Sequence, residues 1–182
     1  MRVTTGSARG TALFAPEGMH TRPITDQIKQ AIFSTWQFSI PNCNFLDLFA
    51  GSGSMGIEAI SRGASKATFV DNDTNAINII KRNLDKCHFT NNQYEVIKND
   101  AFDFLQKTSE KYDVIYMDPP YTVDEIFIPI INEVDKANIL QKNGILAIRT
   151  RAEKQMPQDL TNLYKVKEKK YGISMVHYYK NK

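Results

Sequence analysis

Four consecutive residues, Asp118-Pro119-Pro120-Tyr121, carry the most specific chemistry in the sequence. Two adjacent prolines hold the backbone extended and remove two N–H donors, so carbonyl acceptors dominate the local polar surface. With the Asp118 carboxylate beside them, the segment offers two acceptors to one amino group. An exocyclic amine on a base is a poor nucleophile, because its lone pair is delocalised into the ring. Hydrogen bonds from both of its N–H groups favour a pyramidal nitrogen whose lone pair faces an electrophile. Tyr121 can stack on the base, a contact worth about 1–3 kcal/mol per base in single-strand recognition. The plainer alternative is a structural turn with a surface Tyr.

A second stretch, Phe45 to Gly56, reads as a buried strand, a tight turn and a helix start. The apolar run Phe45 to Ala50 is broken only by Asp47, and Gly51, Ser52 and Gly53 let the backbone turn sharply and approach a ligand closely. Gly51, Gly53 and Gly56 match G-x-G-x-x-G by spacing, which leaves a nicotinamide cofactor, S-adenosylmethionine and a bare turn all open. Asp71 and Asp100 follow later strands. An Asp after the second strand is placed for two ribose hydroxyls, and one after the third can accept from an adenine amine. Each alone could equally be a helix cap.

Alternating apolar segments must position these residues. After a thin leader that can form a short hairpin, a helix is expected from about Asp26 to Phe38, with Ile28, Ala31, Ile32 and Trp36 as core. Strands are expected at Phe45–Ala50, Ala67–Val70, Tyr94–Ile97, Val114–Met117 and Ile145–Ile148. The helices between them run from about Gly53 to Arg62, from Asp73 or Thr74 through Cys87, over Phe102 and Leu105, and from Ile126 to Val134. Five strand–helix alternations are the signature of a doubly wound, mostly parallel sheet. Ligands in such sheets bind beyond the carboxyl ends of the strands, where the strand order reverses. Asp71, Asp100 and Asp118 each stand at such an end. Tyr164–Lys170 and Ile173–Tyr179, parted by Gly172, read as a C-terminal antiparallel hairpin. Lys165, Lys167 and Lys169 are expected on one face of it, guarding an exposed edge.

The chain has 182 residues, 42% of them hydrophobic, enough for one domain with a sizeable core. The expected division is a small N-terminal extension, residues 1–40, and a main domain, residues 41–182. No segment resembles a signal peptide or membrane span, so a cytoplasmic protein with no membrane partner is expected. Cys43 and Cys87 are too few and too separated for a metal motif, and no metal is expected. Net charge is only +3, but residues 1–40 carry +2, residues 41–148 carry −5 and residues 149–182 carry +6. Basic ends that meet in the fold would make a nucleic-acid surface, and solvated exposed Lys is the alternative.

Taken together, Asp47-Leu48-Phe49-Ala50-Gly51-Ser52-Gly53, Asp71, Asp100 and Asp118-Pro119-Pro120-Tyr121 resemble an S-adenosylmethionine-dependent methyltransferase of exocyclic amines. Arg2-Val3, Gly6, Arg9-Gly10, Leu13, Arg22-Pro23, Thr25-Asp26 and Phe33 resemble the start of the bacterial 16S ribosomal RNA guanine-N2 methyltransferase family. The similarity extends to Gly56-Ile57-Glu58-Ala59 with Ser61-Arg62 and covers nearly the whole chain. It implies a seven-stranded Rossmann-like class I methyltransferase fold and methylation of a guanine N2 in small-subunit rRNA. It places Asp47 and the turn Ala50, Gly51, Ser52 and Gly53 on the methionine part of the cofactor, Asp71 with Asn72 on its ribose, and Asp100 with Ala101 on its adenine. Asp118, Pro119, Pro120 and Tyr121 would hold the guanine, and Arg2, Arg9 and Arg22 would grip RNA. The implied partner is 16S rRNA or an assembling 30S subunit, met by a monomer. A dehydrogenase leaves Asp118-Pro119-Pro120-Tyr121 without a job. A DNA adenine-N6 or protein-glutamine methyltransferase, and a silent RNA-binding assembly factor, are the other rivals.

Overall fold

The computed structural model describes residues 1–16 and 24–182; Arg22 and Pro23 lie outside the described residues. In chain order the elements are α1 Asp26–Thr35, β1 Asn44–Leu48, α2 Ser54–Ser61, β2 Lys66–Asp71, α3 Thr74–Lys86, β3 Tyr94–Lys98 and α4 Ala101–Lys107. They continue with β4 Tyr112–Met117, α5 Phe127–Ala137, β5 Leu140–Arg151, β6 Leu163–Tyr171 and β7 Ser174–Asn181. The strands form one seven-stranded sheet in the order β3-β2-β1-β4-β5-β7-β6. β1 to β5 are mutually parallel, whereas β7 runs antiparallel to both β5 and β6. The strand order reverses between β1 and β4, the place where an open sheet of this kind leaves a ligand crevice.

Two apolar layers cover the sheet. On one face Ile32, Phe33, Trp36, Ile57, Ile60, Ile80 and Leu84 from the first three helices pack on Phe45, Phe69, Val114 and Tyr178. On the other, Phe104, Leu105, Ile130, Ile131 and Val134 from α4 and α5 pack on Leu46, Ile115, Leu146 and Tyr179. Trp36 is core, as its spacing suggested, with its ring edge-on to Phe33, Phe45, Tyr116 and Tyr178 at 5.4–6.4 Å. Among the described residues no helix is long and apolar enough to cross a membrane.

Several boundaries differ from expectation for local reasons. α1 starts where Thr25 caps it, accepting from the Ile28 N–H at 3.3 Å, but ends at Thr35 because Trp36 turns into the core as its C-cap. β1 stops at Leu48 rather than Ala50, since Phe49 takes a positive φ of 64° to enter the Gly-rich turn. β5 begins at Leu140 and carries Asn143-Gly144 inside the strand, where the register against β4 shifts. β6 and β7 do form the hairpin, with Gly172 at φ 59° in its turn. A register shift between Lys165 and Lys167 separates the lysines: Lys165 pairs with Tyr179, while Lys167 pairs with Tyr178, which belongs to the opposite layer. The extra residue turns the side chains over, so the three lysines do not share one face.

The leader folds back on itself as expected: Val3 N–H donates to Thr11 O at 2.9 Å and Gly10 N–H to Val3 O at 2.8 Å. It then lies directly on α2. A Cβ on Gly6 would sit 1.7 Å from the Ser61 carbonyl oxygen, so only glycine allows this approach. Glu58, fully buried on α2, accepts from Thr4 N–H (2.9 Å), Thr4 Oγ1 (2.6 Å), Thr5 N–H (3.1 Å) and Arg62 Nε (2.8 Å), and Lys29 Nζ from α1 stands at 3.3 Å. Lys29 also donates to Arg2 O at 2.6 Å. This cluster ties leader, α1 and α2 into the body that flanks the crevice.

Candidate active site

The Gly-rich turn follows from what β1 must do at its end. Gly51 and Gly53 both adopt positive φ (56° and 75°), a region closed to most side chains, and Gly53 precedes the first residue of α2. Two carboxylates hold the turn. Asp47, almost wholly buried, accepts from Gly56 N–H at 2.9 Å, and Asp71 accepts from Gly51 N–H at 2.8 Å and from Asp73 N–H at 2.9 Å. Burial pushes the Asp47 carboxyl well up from the usual carboxylate range; the Gly56 N–H opposes this, and nearby Asp118 and Asp71 reinforce it. Gly56 has a different task. A Cβ there would meet the Phe69 ring at 2.3 Å, so this third glycine lets α2 lie against β2.

A narrow crevice of about 50 Å³ opens above the turn, lined by Asp47, Ala50, Gly51, Ser52, Tyr116 and Asp118 among others. The structure therefore brings the Gly-rich turn and the Asp-Pro-Pro-Tyr segment to one place, as the strand order requires. Asp71 joins them through Gly51. Asp100 stands apart, exposed after β3, where it caps α4 by accepting from Phe102 N–H (2.9 Å) and Asp103 N–H (3.3 Å); Ala101 beside it is buried. Asn72 is exposed after β2. Tyr116 lines the crevice with a buried hydroxyl that, among the described residues, makes no hydrogen bond of good geometry, although it lies near enough to the Asp118 carboxylate to stabilise its charge.

Next to the crevice lies a larger cavity of about 800 Å³, between α1 and the tip of the hairpin. Gln27, Ile28, Tyr121, Arg151, Tyr171 and Ile173 are among its walls. Residues of α1 and of the C-terminal part of the chain thus meet across it, with Arg149, Arg151 and Glu153 as its charged walls. Tyr121 is fixed in the wall: its hydroxyl donates to Thr150 O at 3.0 Å and approaches Ser174 Oγ at 3.2 Å, and its ring packs at 6.2 Å from Phe127. Pro120 O accepts from Val123 N–H at 3.2 Å and closes the turn after the segment.

Sequence reasoning missed Arg149. It stands one residue past the last register pair of β4 and β5, Met117 with Ile148, and so directly beside Asp118. Its Nε donates to Asp118 Oδ1 at 2.9 Å and its Nη2 to Oδ2 at 2.7 Å. Arg149 lines both cavity and crevice. The only hint in the sequence is a basic residue one step beyond the apolar run Ile145–Ile148. Of the leader arginines, Arg2 approaches Asp26 at 3.9 Å and Arg9 is exposed; Arg22 lies outside the described residues.

A sheet of this order, with a glycine turn at its reversal point and a C-terminal antiparallel pair, defines a Rossmann-like methyltransferase fold. The solved structure of the putative methyltransferase yhhF from Escherichia coli superposes with a TM-score of 0.87, at 25% identity, over 100% of this chain and 98% of that one. Within that class, the chain belongs to the family described as Conserved hypothetical protein 95, whose model matches residues 1–180. It is 34% identical to the putative rRNA methyltransferase YlbH of Bacillus subtilis, over the full length of both chains. It is 33% identical to ribosomal RNA small subunit methyltransferase D of Haemophilus influenzae, over 100% of this chain and 94% of that protein.

Proposed function

We propose that this protein transfers a methyl group from S-adenosylmethionine to the exocyclic N2 of a guanine in 16S rRNA. The observation that carries the reading is the contiguity of three features. The glycine turn, the Asp118 carboxylate and a cavity wide enough for an extruded nucleotide adjoin one another. Relatives named as small-subunit rRNA methyltransferases across the full chain supply the substrate class. The crevice suits the methionine end of the cofactor. Its acidic lining faces the ammonium and sulfonium of that end, and its glycines permit close approach.

In this reading Asp47 and Ala50 to Gly53 hold the methionine part, Asp71 with Asn72 the ribose, and Asp100 with Ala101 the adenine. When bound, the cofactor supplies a methyl group already activated by its sulfonium. The protein's part is positioning, which can supply several kcal/mol of barrier reduction, roughly 7–11 at best. Asp118 and the Pro119 carbonyl take the two amine hydrogens, and Tyr121 supports the base from the cavity wall. A paired guanine cannot present N2 to them, so the nucleotide must leave its stack. Arg2, Arg9 and Arg22 in the extension 1–40 grip the flanking RNA. A cytoplasmic monomer acting on 16S rRNA or an assembling 30S particle is the form proposed.

The test supplies tritiated S-adenosylmethionine with rRNA, 30S subunits and duplex DNA in parallel and maps the labelled nucleotide. Label on N2 of a small-subunit guanine is the expected result. Label on DNA, or on a large-subunit nucleotide alone, would replace this reading with another.

A further inference from the structure

Arg149 is a charged group lining both crevice and cavity to which the reaction assigns no role. Its side chain is 5% exposed and that of Asp118 20%, so the pair is shielded but the carboxylate still reaches the opening. The contact is a two-pronged fork, Nε to Oδ1 and Nη2 to Oδ2. A carboxylate has about four acceptor sites, and the fork takes two of them. The others remain able to accept from an amine. The fork also fixes the carboxylate plane, because guanidinium and carboxylate lie coplanar in such pairs. The Arg149 guanidinium in turn lies 5.3 Å from the Tyr121 ring centroid, so one side chain braces both ends of the Asp-Pro-Pro-Tyr segment.

We propose that Arg149 is a positioning residue that locks the Asp118 carboxylate as an acceptor for the incoming amine, so that Asp118 orients the amine and leaves its proton to solvent. The inference rests on the methyl-transfer reading above. The guanine N2 lone pair forms the new N–CH3 bond, and the electron pair of the S–CH3 bond returns to sulfur. The cationic methylamine that results is strongly acidic and releases its proton to water. A carboxylate clamped by a permanent cation is a poor base for that proton and a good acceptor for the hydrogen bond. Burial pushes the Asp118 carboxyl up, and the charge and hydrogen bonds of Arg149, with a smaller contribution from the Tyr116 hydroxyl, act against this. The other titratable groups facing it are Tyr116 on the same strand, Tyr121 on the following turn, and Asp47 on β1, itself influenced by Asp71 of β2.

Two variants, Arg149→Gln and Arg149→Lys, test this through pH profiles of kcat and KM for rRNA methylation, with the Asp118 carboxyl carbon titrated by NMR in each free protein. In Arg149→Gln the acid limb and the NMR titration both move up by at least about one pH unit, because an opposite charge at contact is worth one to three. Its kcat falls on the order of 100-fold, the cost of a misplaced reacting group, with KM little changed. Arg149→Lys keeps the charge and the acid limb but loses the fork, so its kcat falls while its titration stays. If Asp118 were the base, removing the clamp would strengthen it, and an Arg149→Gln kcat at or above wild type would overturn the inference. An unmoved NMR titration in folded Arg149→Gln would overturn it too. Should that variant fail to fold, wild-type turnover by Arg149→Lys has the same force. Wild-type protein that methylates no RNA would instead remove the functional reading, while the titration still reports on the clamp.

Discussion

Two buried ion clusters sit on either side of the glycine turn, and they are built differently. Glu58 is fully buried, and both of its oxygens are satisfied by backbone and side-chain donors of the leader and Arg62, with Lys29 against it. Asp118 is held by Arg149, with the Tyr116 hydroxyl close by, and remains one-fifth exposed at the crevice. A carboxylate whose acceptors are filled by its own chain is an anchor. One that is fixed in orientation but retains acceptor capacity toward an opening is arranged for a ligand. The same chemistry, a carboxylate beside buried cations, thus serves attachment in one place and recognition in the other.

The contrast is broken most severely at Asp118. Asp118→Ala is expected to reduce methyl transfer by at least about 100-fold, the usual loss when a preorganised polar contact to the reacting group is removed. Cofactor binding by calorimetry should persist. Alanine and asparagine both remove the counter-charge of Arg149, but asparagine keeps one acceptor oxygen, so Asp118→Asn should retain more turnover than Asp118→Ala, and near-normal turnover by the alanine variant would contradict the role of Asp118. The mirror-image experiment is Glu58→Ala. It takes from buried Lys29 its nearer counter-charge and leaves Asp26 at 3.8 Å, at a cost of roughly 3–5 kcal/mol. For a chain of this length that corresponds to a melting temperature lower by roughly 6–20 °C. Turnover per folded molecule should survive. A stable Glu58→Ala protein with lost activity would mean that the anchor is part of the site.

The two clusters were unequally legible in the sequence. Five strands and their helices could be read from apolar alternation, since a parallel sheet covered on both faces writes its strands as short continuous runs. The acids at the ends of β2, β3 and β4 could be read for the same reason: they fall where those runs stop. Asp47, Gly51 and Asp118 were legible because local sequence makes the turn and the extended segment. Arg149 was not, because its meaning comes from β5 lying next to β4, a pairing between residues 31 apart. Glu58 and Lys29 were hidden likewise, and their contact depends on α1, the leader and α2 converging. The lysines of β6 were misread because one extra residue, invisible to an alternation rule, exchanges the faces.

A third buried polar group sharpens the comparison through pH. His177 on β7 contacts Thr150 Oγ1 at 3.0 Å and Glu168 Oε2 at 3.2 Å, and burial first, then Lys165, lowers its pKa to about 4. The unfolded chain binds a proton near pH 6.5 and the folded chain does not, so stability is retained above that pH and lost as pH falls from about 6.5 toward 4. The loss should approach roughly 3 kcal/mol, at 1.36 kcal/mol for each pH unit of difference. Denaturant unfolding at pH 7 and pH 4.5 measures it, and His177→Gln should flatten the difference. A pH-insensitive wild type would show that Glu168 compensates, making His177 an exchangeable partner rather than a closed one.

The smallest change addresses the glycine turn that separates the clusters. Gly56→Ala places a methyl where the Phe69 ring edge already lies, and the ring must shift. Over-packing of this kind costs about 1–3 kcal/mol. If Gly56 serves helix packing alone, the melting temperature falls while cofactor affinity, measured by calorimetry on folded protein, stays near wild type. Gly51→Ala should show the reverse emphasis, since Gly51 lines the crevice at positive φ and its N–H is held by Asp71. Equal losses of affinity in both variants would mean that the whole G-x-G-x-x-G stretch contacts the ligand. Opposite signatures would separate a motif that spacing alone presents as one unit into a binding part and a packing part.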